Sequence, residues 1–165
     1  MTPTVTHSSF TIERRYPVPP ERVFAAFADP VKKRRWFADA ENRKAEEHSL
    51  DFRVGGLERT QLRLGTDSPF PGVELVNQTT YQDIEASRRI VFAYSMTLGA
   101  RRISASLVTV EFLGSATGTE LVFTEQSAFF EGADGPKMRE KGWSHILDGL
   151  AAELKSSELK SSDEK

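Results

Sequence analysis

Glu125 is the ionisable residue with the most unusual setting in this chain. Counting by twos, it shares a face with Leu121 and Phe123, because alternate residues of a strand point to one side. A carboxyl turned into an apolar space is desolvated, which raises its pKa and equips it as an acid or a ligand anchor. At a strand end it would instead turn to water, or be satisfied by arginine or backbone groups. The residues alone leave both readings open. Tyr94 falls on a face with Ile90, Phe92 and Met96. A phenol among apolar side chains gives a pocket a polar handle for a hydroxyl or carbonyl, or it is ordinary core bonded to backbone. Trp36, Phe37, Phe52, Val54, Phe123, Trp143 and Leu147 are candidates for the rest of a pocket wall. Phe70, held between Pro69 and Pro71, and Phe129, followed by Phe130, are aromatics expected in loops. There they would form a flap, contact a partner, or fold back on the core.

Other chemistries lack their residues. The three histidines, His7, His48 and His145, lie in unrelated segments with no i, i+4 pair, so no metal site is expected. His145 falls about 160° from Trp143 on a helical wheel and is expected in solvent. The chain has no cysteine, which excludes disulfides, thiolate metal sites and cysteine nucleophiles. It has neither a Gly-x-Ser-x-Gly elbow nor a phosphate-cradling glycine loop, so no cofactor is expected. With a formal net charge of −2, nucleic acid is not an expected partner. The one basic run, Lys32-Lys33-Arg34-Arg35, is followed by Asp39, Glu41, Glu46 and Glu47 and reads as the solvated side of a short helix. Met1–Phe10 is polar and no apolar run reaches membrane-spanning length. A cytoplasmic protein without membrane insertion is expected.

These side chains need a scaffold, and its elements are legible in order. Ser8 to Pro17 alternates as a first strand. Pro20 suits the first position of a helix carrying Val23, Phe24 and Phe27. Asp29-Pro30 breaks that helix, with Asp29 placed to cap a second one bearing Trp36 and Phe37. From Glu46 the period becomes two: Leu50, Phe52 and Val54 read as one strand, turned by Gly55-Gly56 into a partner carrying Leu62 and Leu64. Further strands are expected at Val73–Ile84, through Ile90–Met96, at Ile103–Phe112 after a Gly99-Ala100 hairpin, and through Leu121–Glu125. Beyond Pro136, the residues Trp143, Ile146, Leu147, Leu150, Ala151 and Leu154 form one helical stripe. Gly142 and Gly149 border that stripe, and each costs about 1 kcal/mol in a helix; they mark close approach of another backbone or are simply tolerated there.

Several motifs in this order carry a family resemblance. They are Pro20-Glu21-Arg22-Val23-Phe24, Trp36-Phe37, Asp51-Phe52-Arg53-Val54-Gly55-Gly56, Arg89-Ile90-Val91-Phe92, Thr124-Glu125-Gln126, and Gly142-Trp143 with Leu147 and Leu150. Together they resemble the START-related, birch-pollen-allergen-like (SRPBCC) superfamily. The resemblance is strongest to its branch related to the activator of the heat-shock-protein-90 ATPase. It implies an α+β helix-grip fold: a curved antiparallel sheet of six or seven strands around a long C-terminal helix, with two short helices after the first strand. One domain would span residues 8–154, with residues 1–7 and 155–165 as flexible termini. The superfamily includes lipid and hormone carriers, polyketide cyclases, self-sacrificing resistance proteins and co-chaperone domains, and shared fold does not transfer chemistry. The leading expectation is non-catalytic binding of a small hydrophobic or amphipathic ligand in an internal cavity. The alternatives are a polyketide cyclase-like or hydrolase-like enzyme using Glu125 and Tyr94, and a co-chaperone-like module acting on a heat-shock ATPase. A protein partner or a homodimer stays open.

Overall fold

A computed structural model of the chain describes residues 1–40 and 43–163, with side chains to residue 156. Glu41, one of the acidic neighbours invoked above, lies outside the described residues. In chain order the elements are β1 (Thr6–Tyr16), α1 (Pro20–Ala28), α2 (Pro30–Lys33), a π-helical turn (Arg34–Ala38), β2 (Ala45–Leu50), β3 (Leu57–Arg63), β4 (Glu74–Glu85), β5 (Arg89–Leu98), β6 (Arg101–Ser115), β7 (Gly118–Phe129) and α3 (Pro136–Asp163). All seven strands form one antiparallel sheet in the order β1-β7-β6-β5-β4-β3-β2.

Local sequence accounts for most boundaries. Pro20 begins α1, where a missing N–H costs little. The Asp29 carboxylate accepts from the backbone N–H groups of Val31 and Lys32 and so caps α2. The β5–β6 hairpin turns on Gly99 at φ 61°, where a side chain would be strained and glycine is not. Thr6 and His7, expected in a flexible terminus, belong to β1, because pairing with β7 runs unbroken from Thr6 opposite Phe129 to Tyr16 opposite Thr119. At the other end α3 continues past Leu154 to Asp163.

Two expectations are corrected. The strand thought to run through Val54 ends at Leu50. The chain doubles back there so tightly that a Cβ on Gly56 would lie 2.1 Å from the Asp51 carbonyl oxygen. Phe129, expected in a loop, is the last residue of β7 and is buried.

The helix α3 lies across the concave face and buries Trp143, Ile146, Leu147, Leu150 and Leu154. Beneath its middle the interior is packed with aromatic rings. The Trp143 ring stacks on Phe37 at 5.7 Å and packs against Phe123 at 4.7 Å and Phe92 at 6.5 Å. Of the two glycines, only Gly149 faces a backbone: a Cβ there would meet the Trp36 carbonyl oxygen at 3.5 Å. Around Gly142, apart from its chain neighbours and the adjoining helix backbone, no atom of the described residues lies within 4 Å of an added Cβ.

Candidate functional site

That open space at Gly142 belongs to a cavity of about 620 Å³ at the N-terminal end of α3. Met138, Gly142, Trp143 and Ile146 form its roof, and Leu75, Asn77, Met96 and Leu98 at the ends of β4 and β5 form its floor. Ile103 enters through a β-bulge. Met96 pairs with Ser104 and Thr97 with Arg102, so Ile103 is the unpaired extra residue and both it and Ser104 are buried. Leu64, Ser68, Pro69 and Phe70 close one side. Their loop is tied by Leu64 N–H to the Val73 carbonyl at 2.9 Å and Phe70 N–H to the Ser68 hydroxyl at 3.0 Å. Phe70 remains 50% exposed, a lip rather than a plug.

Three charged residues border this apolar space: Arg43, Asp134 and Arg139. Arg139 and Asp134 satisfy each other through a bidentate pair, both contacts 2.8 Å. Arg139 also donates to the Tyr94 hydroxyl at 3.0 Å and the Ser104 hydroxyl at 2.9 Å, and lies 5.1 Å from the Phe129 ring centroid. Burial opposes its charge, but the Asp134 hydrogen bond and the nearby negative groups outweigh that and raise its pKa. Among the described residues Arg43 has no such partner. Its Nη2 donates to the Phe37 carbonyl at 2.8 Å and its guanidinium lies 5.7 Å from the Phe37 ring centroid. Its Nε is buried without a hydrogen-bond acceptor among the described residues. Burial brings its pKa down to about 10, so it remains a cation at neutral pH.

Glu125 and Tyr94 are together but do not line the cavity. The Tyr94 hydroxyl donates to one Glu125 oxygen, which also accepts from the Trp143 indole at 3.0 Å. The other oxygen accepts from Ser127 at 2.9 Å, and the Trp143 indole also reaches the Tyr94 oxygen at 3.1 Å. Burial raises the Glu125 pKa against the opposing pull of Tyr94, Arg139, Ser127 and Trp143. Burial, then the Glu125 charge, raises Tyr94 as well. The carboxyl is therefore both desolvated and satisfied, behind Trp143 and Arg139 rather than facing the open space.

A second buried cluster has no counterpart in the sequence reading. Lys33, 4% exposed, donates to Glu58, 3% exposed, at 3.0 Å. The same Glu58 oxygen accepts from the Tyr81 hydroxyl at 2.6 Å, and the other meets His48 Nε2 at 2.8 Å. The Lys33 ammonium stands 4.7 Å from the Phe37 ring centroid and 5.6 Å from those of Phe27 and Trp36. Burial alone would raise the Glu58 pKa, but the Lys33 charge and the hydrogen bonds from His48, Tyr81 and Lys33 bring it down to about 2. The basic run is thus not a uniformly solvated face: Lys33 turns inward and Arg35 pairs with Glu153 at 2.6 Å. His145 is exposed.

Of the residues singled out from sequence, Phe37, Phe70, Met96 and Trp143 line the cavity. Trp36, Phe92, Phe123 and Leu147 are buried in the adjoining core. Trp36 donates to the Ala26 carbonyl at 2.8 Å. Phe52 packs edge-on against Phe24 and Tyr81, away from the cavity. Phe129 lies under Arg139, and Val54 is 57% exposed in the turn after β2. Sequence reasoning missed Arg139, Arg43 and Glu58. Arg139 is four residues before Trp143 on the buried helical stripe, and Glu58 alternates with Leu62 on β3, so period counting could have found both. Arg43 follows α2 and the π-turn without any periodic signal. Among the described residues no group of three or more His, Asp or Glu could hold a metal ion. No helix among them is long and apolar enough to cross a membrane.

A curved seven-stranded sheet gripping one long helix, with two short helices after the first strand, defines a helix-grip domain of the SRPBCC superfamily. Residues 17–155 match the family described as activator of Hsp90 ATPase homolog 1-like protein, and the chain belongs to that family. Among solved structures it is similar to Mll3558 from Rhizobium loti, with 48% identity, 90% of this chain and 98% of that one covered, and a TM-score of 0.81. It is also similar to a protein from Rhizobium leguminosarum, with 40% identity, 92% and 97% covered, and a TM-score of 0.85. An AHSA1-like protein from Aeromonas hydrophila shares the fold at 23% identity, with 92% and 95% covered and a TM-score of 0.67. No curated protein matches the sequence.

Proposed function

We propose that this protein is a cytoplasmic carrier or sensor that binds one small apolar or amphipathic molecule without chemical change. The observation that carries this reading is the cavity at Gly142. Its volume of about 620 Å³ falls within the roughly 300–1,000 Å³ of small-molecule sites, and its apolar walls with a few polar groups fit the same class. An enzymatic role for Glu125 and Tyr94 has less support, because an acid or base must come within hydrogen-bond reach of the reacting atom. Both groups lie behind Trp143 and Arg139, with their hydrogen bonds made internally.

Thermal shift against fatty acids, flavonoids and aromatic polyketides tests the proposal. A ligand at 100 times its Kd adds about 2.7 kcal/mol. For a chain of this size that is about 5–11 °C in Tm, at roughly 2–4 °C per kcal/mol. Gly142→Leu fills the space above the floor and should abolish the shift while the protein stays folded. A panel in which nothing moves the Tm, or an equal shift in Gly142→Leu, would count against binding in this cavity.

A further inference from the structure

The cavity has an electrostatic imbalance. Of its three charged residues, Arg139 and Asp134 neutralise each other through two hydrogen bonds. Arg43 is then left as one positive charge that no carboxylate among the described residues reaches. Its Nη2 is used by the Phe37 carbonyl, and its Nε is a buried donor with no acceptor among the described residues. Buried donors in native proteins are nearly always satisfied, so such a group calls for a missing partner. A guanidinium is also the side chain best matched to a planar anion, through paired N–H groups. Phe37, against whose ring Arg43 lies, is part of the cavity wall, so the charge stands at the edge of the apolar space.

We propose that the ligand is an amphipathic carboxylate, its acid group held by the Arg43 guanidinium and its apolar body lying between Met96, Ile103 and the Gly142 face of α3. This rests on the binding reading above and names the ligand class for the same cavity. A carboxylate is favoured over a phosphate monoester because one unpaired cation balances a single charge. A phosphate dianion would need a second cation, and Arg139 is already committed to Asp134.

The test uses three probes with one tail: decanoate, decan-1-ol and decyl phosphate, titrated against the whole protein and followed by tryptophan fluorescence, since Trp143 lines the cavity. Decanoate should bind about ten- to a hundredfold more tightly than decan-1-ol, the ratio expected for a hydrogen bond to a charged group. Arg43→Met should remove that advantage, leaving decanoate no tighter than decan-1-ol; Arg43→Lys, which keeps the charge without the fork, should retain part of it. Equal binding of acid and alcohol, or a decanoate affinity untouched by Arg43→Met, would overturn the carboxylate assignment while leaving apolar binding intact. Tighter, Arg43-dependent binding of decyl phosphate would overturn it in favour of a phosphate. Failure of all three probes in a protein that also ignores the wider panel would remove the cavity reading and this inference with it.

Discussion

Replacing Lys33 with methionine keeps the side-chain stem among Phe27, Trp36 and Phe37 but leaves the Glu58 carboxylate without its cation. Both groups are nearly inaccessible, 4% and 3% exposed, and sit 3.0 Å apart. Removing one partner of a buried pair typically costs about 3–5 kcal/mol, because the other charge is stranded. The hydrogen bonds from Tyr81 and His48 remain, which places the expected loss toward the lower figure. At roughly 2–4 °C per kcal/mol for this size, Tm should fall by about 6–20 °C at pH 7. Urea denaturation of Lys33→Met, Glu58→Gln and the double variant forms a cycle. The double variant has no stranded charge and should recover much of the loss, with a coupling of about 1–3 kcal/mol. Acid should narrow the gap. The Glu58 pKa is about 2 in the fold against an ordinary 4.5. Its stabilisation is therefore complete above about pH 4.5 and vanishes as pH falls toward 2. A Lys33→Met loss below about 1 kcal/mol, the value of an exposed pair, with no recovery in the double variant, would refute the account of a coupled interior pair.

Glu125 should show the opposite pH sign. Its folded pKa is raised by burial, so the folded state holds its proton more tightly, and this residue's contribution to stability declines as pH rises above 4.5. Glu125→Gln should flatten that decline in denaturation curves taken between pH 4.5 and 8. It should still cost about 1–3 kcal/mol at low pH through the mismatched donors of Tyr94, Ser127 and Trp143; an unchanged slope would contradict the assignment. Gly149→Ala should stabilise α3 by about 0.5–1 kcal/mol, since its Cβ would make an ordinary 3.5 Å contact with the Trp36 carbonyl; calorimetry showing a loss would place the two backbones closer than that. Phe70→Ala should leave the unfolding free energy within about 0.5 kcal/mol of the parent, as expected for an exposed residue, yet weaken the affinity of any cavity ligand measured by titration.

Much of this architecture could be read from local patterns. Pro20, Asp29 and Gly99 each solve a problem within a few residues of themselves, and the stripe from Trp143 to Leu154 follows a single period. Alternation correctly put Tyr94 and Glu125 on inward faces. It could not say that Trp143 and Arg139 stand between them and the open space, because that depends on where α3 crosses the sheet. Phe52 and Val54 continue the strand alternation, but the Gly56 turn lies too close to Asp51 for the strand to continue. Lys33 turns inward to partners distant in sequence, Glu58 and Tyr81, and composition marks the run only as basic. Ile103 reaches the cavity because one extra residue in β6 disrupts the two-residue period, an event invisible without the register of β5. The family profile confirms the helix-grip class, while the void lies at one end of α3 rather than along its length.

The position of β1 has a consequence for biosynthesis. Among the described residues β1 pairs with β7 alone, from Thr119 to Phe129, so it is made well before the strand it pairs with. At roughly 5–20 residues per second, the intervening stretch takes on the order of 5–20 s to be translated. Throughout that interval Phe10 and Ile12 travel on a nascent chain without their partners. Charged residues flanking an apolar strand generally discourage pairing with strangers, and Glu13, Arg14 and Arg15 follow Phe10 and Ile12 directly.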